Sequence, residues 1–151
     1  MHLLFVCSGN TCRSPMAEGI FKKMTANLRN FVCSSAGMSF NNGAPVSENA
    51  AAVCKEIGVD ISGHHSRSIN FLDTEKTDWF VVMTYYHAES LLMAEIPQEK
   101  IYILNGEKGG IPDPYGSDIE TYRKCRDLII EGLEKLYVLV ENYLKAESEL
   151  L

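Results

Sequence analysis

Residues 6–15 read VCSGNTCRSP, a short turn with a thiol near one end and a guanidinium near the other. The apolar run at 3–6 before this turn predicts a buried strand, and residues 15–24 after it carry apolar side chains at helical spacing. Pro15 suits the first turn of a helix, and Ser14 is the candidate N-cap. The sequence therefore predicts a strand, a tight loop and a helix N-terminus in that order.

The loop between the predicted strand and helix is suited to an oxyanion. Backbone N–H groups converge in such a loop, and the helix N-terminus adds partial positive charge. Gly9 and Asn10 are the two candidates for a left-handed backbone position. We expect a phosphoryl group to bind here. The expected substrate-binding residues of the loop are Ser8, Gly9, Asn10, Thr11, Cys12 and Ser14.

Two side chains of the loop supply its chemistry. Positive charge and a helix N-terminus favour the thiolate of a cysteine, so Cys7 is the predicted nucleophile. The planar guanidinium of Arg13 can hold two oxygens of a phosphoryl group. The Ser14 hydroxyl can donate to the Cys7 sulfur and favour the thiolate. Each of these features on its own also occurs by chance in unrelated sequences. Their combination between a strand and a helix indicates a catalytic loop.

A second segment, residues 109–116, reads GGIPDPYG and contains a candidate acid. Its glycines and prolines argue against a regular element and predict a surface loop. Displacement of a phosphoryl group requires a proton for the leaving atom, which Asp113 can supply. Alternatively, Asp113 starts a turn before the last helix, as Asp-Pro pairs often do. The residues alone support both interpretations equally.

The chain resembles the low-molecular-weight protein tyrosine phosphatases over nearly its whole length. The motifs that carry the resemblance are the loop at 7–15, SSAG at 34–37, GHHSR at 63–67 and DPY at 113–115. Their order and spacing are highly specific to that family. The resemblance implies a phosphatase that acts on a phosphorylated protein or peptide through a cysteinyl-phosphate and releases inorganic phosphate.

The resemblance also assigns roles to individual residues. It implies that Cys7 and Arg13 are catalytic and that Asp113 is first the general acid and then the general base. Ser35 and His64 match family positions that, together with Asn10, brace the phosphate loop by hydrogen bonds. These two are the expected loop-support residues.

The substrate of the expected phosphatase stays open between phosphotyrosine and phosphoarginine. Thr11 stands where many tyrosine-specific members carry a bulky aliphatic residue, and the loop resembles that of the bacterial protein-arginine phosphatases. Its hydroxyl could orient a phosphoguanidinium. Tyr115 is the expected aromatic wall, and it suits either an aryl ester or a stacked guanidinium. Tyr85, Tyr86 and His87 are further candidates for the rim.

The five cysteines fall into two groups. The resemblance supports Cys12 as a redox partner that captures oxidised Cys7 as a disulfide, and the alternative is a small buried side chain under the loop. Cys33, Cys54 and Cys125 lie in a predicted strand and two predicted helices, where packing is the expected role. No His or Cys pair has the spacing of zinc ligands, so neither a metal nor a cofactor is expected.

Composition predicts one domain spanning 1–151, because 151 residues with 46% hydrophobic content can bury a single core. The net charge of −6 argues against nucleic acid as a partner. Local positive charge is expected from Arg13, the loop amides and Arg67. The absence of a long apolar run or a signal peptide argues against a membrane. An odd number of cysteines and a nucleophile that must stay reduced favour a cytoplasmic location.

Alternating strands and helices predict a single-domain α/β fold. We expect a four-stranded parallel sheet of Rossmann-like or flavodoxin-like order 2-1-3-4, with helices on both faces and Cys7 at the carboxyl end of the first strand. In the last helix, Glu120, Tyr122, Arg123 and Lys124 are expected to face solvent. The predicted strands are 3–7, 31–35, 79–84 and 100–104, and the predicted helices are 15–28, 47–57, 71–76, 87–94 and 119–145.

Two functions from other classes compete with the phosphatase. Arsenate reductases share the fold and the loop, but they relay electrons through additional cysteines on a mobile segment, whereas Cys54 and Cys125 here fall in predicted helices. A non-catalytic phosphopeptide-binding module would keep the anion site and could lose the nucleophile or the acid. Cys7, Arg13 and Asp113 are all present in this chain.

Overall fold

Four strands and five helices alternate along residues 1–151, all of which the computed structural model describes. The order of the elements is that of a doubly wound α/β fold. They are β1 His2–Cys7, α1 Arg13–Met24, β2 Val32–Gly37, α2 Glu48–Lys55, α3 Phe71–Lys76, β3 Trp79–Val82, α4 Tyr85–Met93, β4 Ile101–Ile103 and α5 Ile119–Glu149.

The four strands form one parallel sheet in the order β2-β1-β3-β4, which confirms the predicted topology. The register sets Cys7 at the end of β1 opposite Gly37 at the end of β2. The loops that follow these two strands therefore meet at the edge of the sheet formed by the carboxyl ends of the strands. This is the edge where ligands bind in open parallel sheets.

Apolar side chains of β1 point alternately to the two faces of the sheet, and each face has its own core. Leu3 and Phe5 pack with α1, α2 and α5, while Leu4 and Val6 pack with α4. Both faces are buried, as expected for a parallel sheet covered by helices. None of the helices combines the length and the apolar character needed to cross a bilayer.

The first helix starts earlier than the sequence pattern predicts. It covers Arg13–Met24, so Ser14 lies inside the first turn, and the prediction that Ser14 is the N-cap is wrong. The N-cap is Cys12, which makes no side-chain capping hydrogen bond. The physical reason is that the Ser14 hydroxyl faces Cys7 and Asn10 instead of the free N–H groups of the helix.

The start of α5 also departs from expectation, because Tyr122 is only 2% exposed although helical periodicity assigned it to the solvent side. Asp118 caps the helix by accepting a hydrogen bond from the Thr121 N–H at 3.0 Å. The Tyr122 hydroxyl lies 3.3 Å from the Cys12 sulfur. The first turn of α5 therefore contacts the loop after β1, and that contact buries a face that periodicity assigns to water.

Arg67 and Asp73 form an ion pair that fixes the segment before α3. Two guanidinium nitrogens donate to the two Asp73 oxygens at 2.8 and 3.0 Å. Asp73 is 1% exposed and also completes a capping box with Asn70. Burial opposes ionisation, but hydrogen bonds from Arg67 and the Asn70 N–H outweigh it and lower the pKa of Asp73. Arg67 is therefore committed to this pair, and the expectation that it adds free positive charge at the loop is wrong.

Replacement of Asp73 by asparagine is expected to lower the free energy of unfolding by about 1–3 kcal/mol at neutral pH, because it breaks hydrogen bonds to a charged partner. The lowered pKa of Asp73 means that its contribution is present above the unfolded value of 3.8 and is lost as pH falls below it. The difference between wild type and variant should therefore shrink in acid. Denaturant unfolding across the acidic range measures this, with Glu75→Gln on the same helix as control. A difference that is constant with pH would contradict the assignment.

Candidate active site

The loop between β1 and α1 is held in shape by one left-handed residue and one close approach. Asn10 has φ of 55°, as predicted, whereas Gly9 has no positive φ and that part of the prediction is wrong. A Cβ atom on Gly37 would lie 2.9 Å from the Ser8 carbonyl oxygen. The end of β2 therefore requires glycine so that the loop can pack closely against it.

A directed chain of hydrogen bonds ends on the Cys7 sulfur. Asn10 Nδ2 donates to Ser14 Oγ at 2.8 Å, and Ser14 Oγ lies 2.9 Å from Cys7 Sγ. Because the Ser14 oxygen accepts from the amide, its own hydrogen is free to point at sulfur. A donor so placed stabilises a thiolate. Cys7 itself is 2% exposed at the base of the loop.

Asn10 is the central brace of the loop. Its side-chain oxygen accepts the Arg67 N–H at 3.0 Å, and its carbonyl accepts from His64 Nε2 at 2.8 Å. Asn10 Nδ2 also donates to Ser35 Oγ at 3.0 Å, and Ser35 donates onward to Glu18 at 2.5 Å. Ser35 and His64 thus each form a hydrogen bond with Asn10, the residue together with which they were expected to brace the loop.

Arg13 and Asp113 lie side by side at the mouth of the loop. The Arg13 guanidinium is buried, donates to the Ile111 carbonyl at 3.0 Å and lies 3.7 Å from an Asp113 oxygen. The other Asp113 oxygen accepts the Tyr115 N–H at 3.1 Å. Because the Asp113 side chain is 54% exposed, the carboxyl can meet a leaving group that enters from solvent.

A cavity of about 290 Å³ opens above the loop, and most of its lining residues carry polar or charged side chains. Ser39 and Asn41 line it, although sequence reasoning had not singled them out. Their position just after β2, at the carboxyl end of a parallel strand, was the available signal. Tyr85 and Tyr86 are exposed and do not line this cavity. The lining residues are Cys7, Ser8, Gly9, Thr11, Cys12, Arg13, Ser39, Asn41, Asp113 and Tyr115.

Cys12 shares its environment with a phenol. Ser47 Oγ donates to the Tyr122 oxygen at 3.0 Å, so the Tyr122 hydrogen is free to point at the Cys12 sulfur, 3.3 Å away. Burial and the Cys12 neighbour raise the pKa of Tyr122 to about 12, so the phenol keeps its proton at neutral pH. Cys12 is a free, buried thiol whose sulfur lies within hydrogen-bond range of the Tyr122 hydroxyl and, at 3.8 Å, of the Thr11 hydroxyl.

The remaining three cysteines are free and buried in apolar surroundings. Burial raises the pKa of Cys33, Cys54 and Cys125 to about 12 in each case. Thiols that do not ionise near neutral pH are poor nucleophiles. All three pack in the larger core, as expected from the sequence.

A thiol and a buried guanidinium in one anion-binding loop, with a carboxyl at its mouth, are the groups that a cysteine-dependent phosphatase requires. The family model for low molecular weight phosphotyrosine protein phosphatases matches residues 2–149. The chain belongs to that family, which confirms the resemblance seen in its motifs.

Protein-arginine phosphatases and protein-tyrosine phosphatases match the chain at almost equal identity. A protein-arginine-phosphatase from Geobacillus stearothermophilus is 34% identical over 143 residues, covering 89% of this chain and 92% of its own. The low molecular weight protein-tyrosine-phosphatase PtpB of Staphylococcus haemolyticus is 34% identical over 140 residues, covering 90% of this chain and 97% of its own. A crystal structure of the low molecular weight protein tyrosine phosphatase from T. tengcongensis superposes with a TM-score of 0.85 at 37% identity, covering 91% and 97%.

Arsenate reductases are also among the relatives, but the phosphatase is the better-supported function. Electron relay needs reactive thiols in addition to the nucleophile. Cys33, Cys54 and Cys125 are buried with a raised pKa, which does not suit that role. The chain is a cysteine-based protein phosphatase, and its relatives imply phosphorylated proteins as substrates.

Proposed function

We propose that this phosphatase acts on phosphoarginine side chains of proteins, with Cys7 as nucleophile, Arg13 as phosphoryl clamp and Asp113 as general acid and base. The observation that carries the proposal is that the side chains of Thr11, Ser39 and Asn41 line the cavity above Cys7. A phosphoguanidinium presents several N–H groups, and such a group needs hydrogen-bond acceptors around it.

In the first step, the Cys7 thiolate attacks phosphorus, and an S–P bond forms as the bond to the leaving nitrogen breaks. Asp113 gives its proton to that nitrogen, so the substrate departs as a neutral or protonated guanidine. The Arg13 guanidinium and the loop N–H groups stabilise the charge on the equatorial oxygens. Cys7 then carries the phosphoryl group as a cysteinyl-phosphate.

In the second step, the Asp113 carboxylate takes a proton from water, and the water oxygen attacks phosphorus. The S–P bond breaks, inorganic phosphate leaves and Cys7 returns as a thiolate. Ser14 supports this departure because its hydroxyl, 2.9 Å from the sulfur, donates to the thiolate that forms. Two moderate displacements thereby replace one difficult one.

The walls of the cavity favour a guanidinium over an aryl ring. Thr11, Ser39 and Asn41 line the cavity, and each has an oxygen in its side chain. Ser39 Oγ donates to the Ser8 carbonyl at 2.9 Å, and Thr11 Oγ1 lies 3.8 Å from the Cys12 sulfur. An aryl ring against this wall offers no donor to the free lone pairs of these oxygens, at a cost of about 1–3 kcal/mol for each group left unsatisfied. The N–H groups of a phosphoguanidinium can satisfy them. Tyr115 offers its ring to the planar guanidinium as a stacking surface.

Phosphotyrosine is the second candidate substrate, and Tyr115 is the observation that favours it. Its ring is exposed at the cavity mouth, where it can pack against an aryl ester. No other aromatic side chain lines the cavity. The cavity is lined by one aromatic side chain and by the polar side chains of Thr11, Ser39 and Asn41. We therefore rank phosphoarginine first.

Exchange of Thr11 for isoleucine is expected to lower kcat/KM on a phosphoarginine peptide by at least about tenfold and to raise it on a phosphotyrosine peptide, because a hydroxyl is replaced by apolar surface. Turnover of both peptides is measured side by side for wild type and variant. Thr74→Ile on α3, away from the cavity, is the control. A wild-type preference for phosphotyrosine that does not depend on residue 11 would contradict the assignment.

We further propose that Cys12 is the redox partner of Cys7 and that the enzyme works in a reducing, cytoplasmic compartment. All five cysteines are free, and Cys7 must stay reduced to act. The hydrogen bond from Tyr122 is compatible with a redox role for Cys12 and equally with simple packing under the loop. We expect inorganic phosphate as the product and no nucleic acid or membrane as partner.

A further inference from the structure

His87 is a buried histidine next to the phosphate loop, and the steps described above do not use it. It is 1% exposed, and it lies in the first turn of α4, where Thr84 is the N-cap. Its Nε2 lies 2.9 Å from Ser8 Oγ, and its Nδ1 lies 3.1 Å from Thr84 Oγ1. The imidazole therefore links the cap of one helix to a hydroxyl in the wall of the active-site cavity.

The tautomer of His87 decides which of its two hydroxyl partners donates and which accepts. Thr84 Oγ1 accepts the His87 backbone N–H at 3.3 Å. The only other protein partner of this hydroxyl is His87 Nδ1. In the tautomer whose Nδ1 is unprotonated, the Thr84 hydrogen points to Nδ1. A neutral imidazole with Nδ1 as acceptor carries its hydrogen on Nε2, directed at Ser8.

The ring is neutral under ordinary conditions. Burial and the positive charge of Arg13 lower the pKa of His87 to about 4, against a smaller opposite effect of Asp113. A neutral ring has one donor and one acceptor, which is what Thr84 and Ser8 require. It also adds no positive charge beside Arg13.

The hydrogen bond from His87 determines where the Ser8 hydroxyl hydrogen can point. In the tautomer with its hydrogen on Nε2, the ring donates to Ser8 Oγ, and the Ser8 hydrogen is left without a protein acceptor. Ser8 lines the cavity next to Cys7. We propose that His87 is a positioning residue that turns the Ser8 hydroxyl into a hydrogen-bond donor aimed at an oxygen of the bound phosphoryl group.

This inference deepens the proposed function and rests on it only in requiring a phosphoryl group in the loop. Its primary readout is therefore the dissociation constant of inorganic phosphate, measured by titration calorimetry without turnover. If wild type binds phosphate but hydrolyses neither phosphopeptide, the proposed function fails while this inference is still tested. If wild type is active and the variants below bind phosphate as wild type does, this inference alone fails.

The decisive comparison is between two replacements of His87. Phenylalanine fills the space without a donor and should weaken phosphate binding and lower kcat/KM by about tenfold, the equivalent of one lost hydrogen bond. Glutamine places an amide N–H near the position of Nε2. It should keep phosphate affinity and kcat/KM within about threefold of wild type. The exposed His65→Gln is the matched control. Equal impairment of the Phe and Gln variants would overturn the proposal.

A double-mutant cycle with Ser8 separates positioning from general damage to the fold, and Ser8→Ala leaves the core intact if His87→Phe proves unstable. Ser8→Ala alone should weaken phosphate binding about tenfold, and adding His87→Phe should cost little more, because both act through one hydroxyl. Losses that multiply to about a hundredfold would show independent effects and contradict the proposal. Phosphate affinity unchanged in Ser8→Ala would contradict it as well.

Discussion

Replacement of Cys7 by serine is expected to lower turnover by roughly 10⁴–10⁶-fold, because the attacking atom of the reaction is lost. Phosphate affinity should be retained or improved, since the loop N–H groups and Arg13 stay in place and the negative thiolate is gone. Steady-state assays on both phosphopeptides measure kcat, and calorimetry with inorganic phosphate measures the dissociation constant.

The matched control for this replacement is Cys33→Ala, which removes a buried thiol of the core whose raised pKa makes it unreactive. It should keep its kcat even if it loses some stability. Turnover in Cys7→Ser equal to that of the control would exclude Cys7 as the nucleophile and with it the cysteinyl-phosphate.

Replacement of Asp113 by asparagine is expected to lower kcat by about 10²–10⁴-fold on substrates with poor leaving groups, because the leaving atom then departs without a proton. The loss should be much smaller on an activated aryl phosphate. Asp113 sits 3.7 Å from Arg13 and is half-exposed at the cavity mouth, so asparagine should fit without rearrangement.

A series of aryl phosphates that differ in leaving-group acidity measures this effect, with the exposed Asp127→Asn on α5 as control. The slope of log kcat against leaving-group acidity should be steeper in the Asp113 variant than in wild type. Equal losses across the series would remove Asp113 from the acid role and leave it as a turn residue.

The predictable part of the fold was local. Apolar runs and helical spacing predicted all nine elements in order, and the alternation of strands and helices predicted a parallel sheet covered by helices. Element ends were less well predicted. Ser14 looks like an N-cap by type and position, but Cys7 and Asn10 recruit its hydroxyl. Competition between capping and a contact with a neighbouring side chain is decided by the three-dimensional position of the loop.

The unpredicted parts depend on side-chain contacts that the spacing of residue types does not encode. Tyr122 has the spacing of a solvent-facing residue, and only its approach to Cys12, 110 positions earlier in the chain, buries it. Ser39 and Asn41 reach the cavity because of the path of the loop after β2. Arg67 reads as a free cation until Asp73 is seen to hold both of its terminal nitrogens. Periodicity carries no information on such pairs.

The central claim is a covalent phosphoryl group on Cys7, and its most direct test is to find that group. Wild-type enzyme is mixed with excess phosphopeptide, unfolded in denaturant within the first turnover, digested at neutral pH and mapped by mass spectrometry. We predict a phosphoryl group on the peptide that contains Cys7, bonded to its sulfur and absent from the peptides of the other cysteines. Full turnover with no phosphoryl group on Cys7, or with the group on another residue, would contradict the mechanism.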